Sequence, residues 1–204
     1  MHSIHRFSIA ALVALAVTAP VVAGCGSKSP SSNSSTSTNG STGALSAEAQ
    51  STATGDIPDN QVFLTFKNSA AHYSIKYPEG WTQHGSGRDV TFQDKNNVVH
   101  IVMDKGTAPT PASVRAELQA LQETNLGLRF QRPHAVRIGS APAVKAVYTT
   151  RSKPNPVTGK RVTLVVDRDE FAKGGRRAIV DLGTPKGVDN VDAYRMMSES
   201  FRWQ

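Results

Sequence analysis

The sequence has very little cysteine, since Cys25 is the only one among 204 residues. A chain with one cysteine cannot form an internal disulfide, so its folded part must be held together by its core alone. The sequence also lacks an uninterrupted apolar run of the ~20 residues that a membrane-spanning helix needs. The apolar stretch over residues 7–23 contains Thr18 and Pro20. These absences exclude a disulfide-stapled fold and argue against a retained transmembrane helix.

Recognisable catalytic and metal-binding motifs are missing as well. Zinc sites usually take three or four ligands with local spacing, whereas the histidines after the N-terminal region stand far apart, at His72, His84, His100 and His134. The segment Gly85-Ser86-Gly87 lacks the five-residue pattern of a nucleophile elbow. We therefore expect no metal, no cofactor and no enzymatic activity. A hydrolase whose serine, histidine and carboxylate meet only in the fold stays open as an alternative.

The first 24 residues have the pattern of an export signal. A weakly basic start, with Arg6 as its permanent charge, precedes an apolar core over residues 7–19 and the small residues at 22–24. An apolar core of about 7–15 residues is typical of a cleaved signal peptide. We predict a signal peptide over residues 1–24.

The motif Val22-Ala23-Gly24-Cys25 resembles the lipobox of bacterial lipoproteins. A thiol can be alkylated to a thioether that carries diacylglycerol, and the small residues beside it admit the chain to the peptidase. The resemblance implies cleavage before Cys25 and attachment of fatty acyl chains such as palmitate. Each buried methylene contributes about 0.8 kcal/mol, and two chains suffice for stable anchoring. The expected location is the outer face of the cell membrane; the alternative is a lone structural cysteine.

A linker follows the anchor. Half of residues 26–55 are Ser or Thr, and Leu45 is their only large apolar side chain. Such a segment cannot bury enough surface to offset the entropy of ordering, so we predict a disordered linker over residues 25–57. Its thirty or so residues would reach about 30 Å. Glycosylation of its hydroxyls and a bare spacer are both open.

Residues 58–204 are predicted to form one α+β domain, a central antiparallel β-sheet flanked by helices. Apolar and polar residues alternate from Tyr73 to Pro78, and Val98 to Met103 is apolar enough to indicate a central strand covered on both faces. Thr110 and Gly127 are the expected ends of a first helix, and a second begins near Asp189. Turns are predicted at Asn96-Asn97 and at Gly174-Gly175, and the acidic run from Asp167 to Glu170 is expected at a solvated hairpin end.

Two segments of this domain resemble the PsbP/Mog1 superfamily. Residues 73–81 alternate aromatic and aliphatic side chains, end in Tyr77-Pro78 and place Trp81 three positions later, and the C-terminus reads Ser200-Phe201-Arg202-Trp203. Together with the lipobox and linker they are similar to small lipoproteins of actinobacterial type. The resemblance implies the α+β fold given above. It also implies an accessory or protein-binding role rather than catalysis, and it carries over no ligand-binding residues.

Charge supplies a candidate surface. The chain has a formal charge of +7, and six of these charges fall on residues 56–204. We predict a basic surface from six side chains: Arg151, Lys153, Lys160, Arg161, Arg176 and Arg177. Anionic lipid headgroups or acidic wall polymers would gain about 1 kcal/mol per contacting cation. The alternative is an ordinary soluble surface that keeps the domain monomeric. Nucleic acid is not an expected partner of an exported protein.

These observations predict a membrane-anchored binding or assembly module of the cell envelope, whose partner is a protein or an anionic envelope component. A second hypothesis is a carrier that holds an apolar ligand between sheet and helix. Its ligand would contact residues drawn from Val114, Leu118, Leu121, Met103 and Trp81.

Overall fold

The computed structural model of the chain describes residues 54–155 and 157–204. The predicted signal peptide, Cys25 and all but the last residues of the predicted linker lie outside this part of the chain. The helices bounded within it are α1 (Pro111–Thr124) and α2 (Val191–Glu199). The strands are β1 (Phe63–Asn68), β2 (Tyr73–Pro78), β3 (Thr82–Ser86), β4 (Asp89–Asp94), β5 (Asn97–Lys105), β6 (Arg129–Phe130), β7 (His134–Ile138), β8 (Ala141–Arg151), β9 (Thr163–Lys173), β10 (Arg176–Pro185) and β11 (Arg202–Trp203).

The strands form two antiparallel sheets. The large sheet has the order β3-β4-β5-β10-β9-β8-β6, with β7 also paired to β8, and the small sheet has the order β1-β2-β11. Every pair of adjacent strands within the described residues is antiparallel. The predicted α+β class with an antiparallel sheet is therefore confirmed. The prediction did not include the separate small sheet.

One face of the large sheet is covered by the small sheet and α2. Alternate side chains of β5 and β10 pack there, and Phe201 stacks between Tyr73 of the small sheet, at 5.8 Å, and Phe171 of the large sheet, at 4.9 Å. The closing segment of the chain thus joins the two sheets through its aromatic ring.

The opposite face is covered only in part. Helix α1 buries Val114 and Leu118 against Val144 of β8 and Leu164 of β9. Strand β5 has side chains on this face that stay half exposed, such as Val98 and His100. The expectation that this strand is covered on both faces is wrong, because α1 lies over β8 and β9 and does not reach it.

The helix starts were predicted better than the helix ends. Thr110 is the N-cap of α1, as expected: its hydroxyl accepts from the Ser113 amide (3.1 Å), and the Ser113 hydroxyl accepts from the Thr110 amide (2.9 Å). The helix ends at Thr124, with Asn125 rather than Gly127 as its C-cap: the Asn125 amide donates to Leu121 O (2.9 Å), and the Asn125 side chain donates to Thr150 (2.8 Å). Helix α2 begins near Asp189, as predicted: Asn190 is at its N-cap position, and the Asp189 side chain accepts from the Val191 amide (3.2 Å).

The side chain of Asn190 forms hydrogen bonds that connect residues 55–57 to the rest of the domain. Its side-chain oxygen accepts from the Ile57 amide (2.8 Å), and its amide nitrogen donates to Thr184 Oγ1 (2.8 Å) and to Gly55 O (3.1 Å). The Asn97 side chain also donates to Gly55 O. Ile57 is part of the hydrophobic core. The domain therefore holds three residues that lie before its predicted first residue.

The largest correction concerns the acidic run Asp167-Arg168-Asp169-Glu170. It does not lie at a solvated hairpin end but in the middle of β9, between β8 and β10, and Asp169 and Glu170 are fully buried. The hairpin turn comes later, at Gly174-Gly175, where a turn was predicted. These charged residues can lie within a central strand because side chains of neighbouring elements form ion pairs and hydrogen bonds with them.

Candidate functional site

The part of the large sheet that α1 leaves open forms a cleft of about 480 Å³. Its floor is built by β5, β10 and β9, one wall by β4 and the turn into β5, and the other wall by the end of β8 and the loop that leads to β9. The lining residues are Asp89, Thr91, Gln93, Lys95, Asn96, Val98, His100, Tyr148, Thr150, Arg151, Ser152, Lys153, Pro154, Asn155, Leu164, Val166 and Asp181.

The floor depends on a glycine. A Cβ atom at Gly183 of β10 would lie 2.8 Å from Val98 Cγ1 and 3.4 Å from Val166 Cγ2, which is too close for the first contact. Because Gly183 has no side chain, Val98 and Val166 approach each other across β10. The floor is a packed surface of three central strands.

A buried ion pair lies under the cleft. Arg168 donates through Nε to Asp181 Oδ1 (2.8 Å) and through Nη2 to Asp181 Oδ2 (2.7 Å), and its guanidinium lies 5.5 Å from the centre of the Tyr148 ring. Burial disfavours the charged guanidinium, but the hydrogen bonds and charge of Asp181 outweigh it, so the pKa of Arg168 is raised. Burial, with the charge of Asp181, also raises the pKa of Tyr148, which stays a neutral phenol. The charge of Asp181 is thus balanced within the protein.

A second carboxylate of the cleft, that of Asp89, is in hydrogen-bond contact with a histidine. His100 Nε2 lies 2.9 Å from Asp89 Oδ1. An ionised carboxylate only accepts hydrogen bonds, so the imidazole is the donor. The side chain of His100 is about one-third exposed, at 35%. Among the described residues, no group of three potential ligands is arranged to hold a metal ion.

The serine that lines the cleft is engaged in its own loop. The Ser152 hydroxyl donates to Lys153 O (2.8 Å) and accepts from the Val162 amide (3.0 Å). It makes no hydrogen bond to His100 within the described residues. The cleft therefore contains a serine, a histidine and an aspartate, but not in the relay that would activate a nucleophile.

Further hydrogen bonds join the described residues of the loop from β8 to β9. The Asn155 side chain accepts from the amides of Val157 (3.0 Å) and Thr158 (2.9 Å), and the Asn155 amide donates to Lys160 O (2.8 Å). Arg161 Nη1 donates to Ser152 O (2.7 Å). This wall of the cleft is therefore a loop with several internal hydrogen bonds.

The structure divides the six predicted basic residues into two groups. The first comprises Arg151, Lys153, Lys160 and Arg161, all exposed near the loop between β8 and β9, and Arg151 and Lys153 line the cleft. The second comprises Arg176 and Arg177, which begin β10 next to the far end of β9. Strand β9 has 11 residues, so at about 3.3 Å per residue the groups lie roughly 30 Å apart.

The second group is largely engaged inside the protein. Arg177 forms an ion pair with Glu117 of α1, lies 3.5 Å from the buried Glu170 and lies 3.8 Å from Asp104. The guanidinium of Arg176 lies 5.0 Å from the centre of the Trp203 ring. These two arginines contribute to the contacts of α1 and of the C-terminus, and only the first group is arranged around the cleft.

The residues predicted for an apolar carrier do not line a common space. Val114 and Leu118 pack on the α1 face of the large sheet, whereas Met103 and Trp81 belong to the core on the other face. Leu121 is exposed at 39%. The sheet itself separates the two sets, so the carrier hypothesis is wrong for these residues.

Sequence reasoning did not identify the cleft. Its walls take Thr91 and Gln93 from β4, Asn96 from the following turn and Asn155 from a loop that comes about sixty positions later. The only local signal was the turn predicted at Asn96-Asn97. Nothing in one sequence reveals that β10 inserts between β5 and β9 and so brings these walls to the two sides of one floor.

Comparison with solved structures identifies the fold. The chain is similar to the cyanobacterial PsbP of Synechocystis sp. PCC 6803, with 15% sequence identity, 74% of this chain and 98% of that chain covered, and a TM-score of 0.54. It also matches the Ran-binding protein Mog1p of Saccharomyces cerevisiae (6% identity, 71% and 96% covered, TM-score 0.47). A third match is LpqN, involved in cell envelope biogenesis of Mycobacterium tuberculosis (16% identity, 70% and 84% covered, TM-score 0.37). The sequence matches no protein-family model and no curated protein.

The likeness to PsbP confirms the fold that the sequence resemblance implied. At 15% identity it shows the fold alone and carries no ligand or partner to this chain. None of the helices in the described part of the chain combines the length and the apolar character that a membrane crossing requires.

Proposed function

We propose that this protein is a non-catalytic binding module of the cell envelope, held on the outer face of the membrane by acyl chains on Cys25, and that it binds its envelope partner in the cleft on the open face of the large sheet. The observation that supports the site most strongly is the cleft itself. Its volume of about 480 Å³ falls within the range of about 300–1,000 Å³ that is usual for ligand sites.

The construction of the cleft suits binding. Its floor consists of hydrogen-bonded central strands, and one of its walls is a loop fixed by the side chains of Asn155 and Arg161. A site whose parts are already ordered loses less conformational entropy when a ligand binds. The absence of a bonded serine–histidine pair in this cleft favours binding over hydrolysis.

The first described residues join the domain at the end of the large sheet where the turn between β4 and β5 lies. Gly55 is bonded to Asn97, the first residue of β5, and the preceding residue Asn96 lines the cleft. The predicted linker therefore joins the domain beside the cleft wall. A partner at the membrane surface or in the adjacent wall would be within reach of a cleft placed there.

Blocking the cleft tests this proposal. Thr91 lies on the floor side of β4 and lines the cleft, whereas Thr82 is exposed on the edge strand β3 and does not. We expect Thr91→Trp to remove the component that co-purifies with the tagged full-length protein from solubilised membranes. Thr82→Trp, the matched control, should leave it unchanged. Equal recovery with both variants would show that the partner binds elsewhere.

The anchor is tested separately. Cys25→Ser in the full chain should abolish labelling with a fatty acid analogue and move the protein from the membrane fraction to the soluble fraction. The cysteine is the only thiol in the sequence, so no second site can replace it. Labelling that persists in the variant would remove the anchor from the proposal without affecting the cleft.

A further inference from the structure

We infer that the ligand of this cleft is an anionic saccharide, a sugar that carries a phosphate or carboxylate group, with the anionic group bound at the end lined by Arg151 and Lys153. The inference rests on the proposed function, because it specifies the ligand class of the same site.

The first argument is the charge that remains after internal pairing. Of the two carboxylates of the cleft, Asp181 is paired with Arg168, and Asp89 lies at the start of β4, at the end of the cleft away from Arg151 and Lys153. Lys153, by contrast, is exposed, and its ammonium group has no partner among the described residues. The positive charge offered to a ligand is therefore concentrated at the wall formed by the loop from β8 to β9.

The topology places a third cation at the same end. Strands β4 and β8 both end there, and β5 and β9 both begin there. Lys95 lies in the turn between β4 and β5, on the wall opposite Arg151 and Lys153. One end of the cleft thus has basic side chains on both walls, and the wall with Arg151 and Lys153 is the one proposed to bind the anionic group.

The rest of the lining is suited to hydroxyl groups. Thr91 and Asn96 make no side-chain hydrogen bond among the described residues, and Gln93, Thr150 and Asn155 each keep a donor that their internal hydrogen bonds do not use. Sugar hydroxyls also donate and accept, so such side chains match them better than they match a purely accepting or an apolar ligand.

The lining fits other anionic ligands less well. Tyr148 is the aromatic residue of the lining, but it is only 9% exposed and its ring is engaged with Arg168. A nucleobase would be left without the stacking platform that such ligands use. An acyl chain would contact Val98, Leu164 and Val166 on the floor, but it would leave the polar side chains of the walls unpaired.

Binding of defined probes to the full-length protein tests this inference. The probes are glucuronate and glucose 6-phosphate, with glucose and inorganic phosphate as their neutral and sugar-free counterparts, and binding is followed by NMR titration at constant ionic strength. We expect both anionic sugars to bind at least about tenfold more tightly than glucose or inorganic phosphate, a difference of about 1.4 kcal/mol. Raising the salt concentration should weaken their binding.

Variants locate the site. Lys153→Gln should weaken binding of the anionic sugars by about tenfold, or about 1.4 kcal/mol, whereas Lys173→Gln, an exposed lysine at the other end of β9, should not change it. Thr91→Trp should abolish binding. Persistence of sugar binding in that variant would place the sugar outside the cleft and overturn the inference.

The remaining outcomes also decide whether the ligand is an anionic saccharide. Equal binding of glucose, or no effect of Lys153→Gln, would overturn the anionic part, and equal binding of inorganic phosphate would overturn the saccharide part. Failure of every sugar to bind would overturn the inference as a whole. None of these results would affect the proposed function, which depends on the separate co-purification test with Thr91→Trp and Thr82→Trp.

Discussion

At the scale of single residues, the structure is defined by charged side chains that are buried in β9. Asp169 accepts a hydrogen bond from Ser198 of α2 and lies 3.6 Å from the ammonium of Lys145 on β8. Burial raises the pKa of Asp169, while Lys145 and Ser198 act in the opposite direction. Glu170 lies on the other face, between Arg168 at 3.9 Å and Arg177 at 3.5 Å. Each charge has a partner from another part of the chain.

Glu170 makes stability depend on pH. Burial, together with the charge of Glu117, raises the pKa of Glu170 to about 7 from an ordinary value of 4.5, although Arg168 and Arg177 act to lower it. Between these two pH values the folded state holds the proton and the unfolded state does not, so this residue lowers the free energy of unfolding as the pH rises. The loss is complete above the folded pKa.

We therefore predict that Glu170→Gln becomes more stable relative to the wild type as the pH rises from 4.5 to 7. The size of the relative gain is at most a few kcal/mol, since one pKa unit corresponds to ~1.4 kcal/mol. Urea unfolding of both proteins across this range measures it, with the exposed Glu123→Gln as control. A stability difference that does not vary with pH would contradict the assignment.

At the scale of elements, β9 shows how a charged segment becomes a central strand. Arg168 and Asp181 are direct neighbours in the register of β9 and β10, and Glu170 and Val144 are neighbours in the register of β9 and β8. The strand is therefore held by backbone pairing on both sides and by ion pairs across the faces. Local polarity indicated a turn here because these partners are distant in the sequence.

The buried pair between β9 and β10 should be sensitive to the loss of one partner. Asp181→Asn leaves the guanidinium of Arg168 without its counter-charge, and removal of one partner of a buried pair typically costs about 3–5 kcal/mol. We expect a loss of that order in the free energy of unfolding, measured with urea. Replacement of both residues, as Arg168→Met with Asp181→Leu, should recover most of it.

An exposed pair provides the comparison. Arg195 and Asp192 of α2 are 2.7 Å apart, but their side chains are 64% and 89% exposed, and such surface pairs contribute about 0–1 kcal/mol. Asp192→Asn should therefore change stability little. Equal effects of Asp192→Asn and Asp181→Asn would show that the Arg168–Asp181 pair contributes no more to stability than a solvent-exposed pair.

At the scale of the whole molecule, the domain begins earlier than the composition of the chain indicates. Gly55 O accepts hydrogen bonds from the side chains of Asn97 in β5 and Asn190 at the start of α2. The Ile57 amide donates to the Asn190 side chain. These contacts connect the first described residues to two distant parts of the fold and fix where the predicted linker joins it.

A chain shortened to begin at residue 58 should be less stable than one that begins at residue 54. It loses the burial of Ile57, which is worth about 1.5–3 kcal/mol, and it leaves part of the Asn190 side chain unpaired. Comparison of urea midpoints, with the slopes checked for constancy, measures the difference. Ile57→Ala in the full chain should reproduce most of the loss. Equal stability of the two shortened chains would place the boundary back at residue 58.

The sequence predicted the features whose causes lie within a few residues. The alternation from Tyr73 to Pro78 produced β2, Thr110 began α1, and Gly174-Gly175 turned the chain into β10. The lipobox at Cys25 is equally local, and the anchor inferred from it stays a prediction, because these residues lie outside the described part of the chain.

By itself, then, the sequence determined the class of the fold, because alternation, capping and turn residues act over short distances. Only the tertiary structure decided which face of the sheet stays open, that the basic residues separate into two groups, and that Asp169 and Glu170 are buried. The reason is that the cleft and the burial of these charges both depend on β10 pairing with β5 and β9 at once. That arrangement results from packing of the whole core, and no single segment of the chain specifies it.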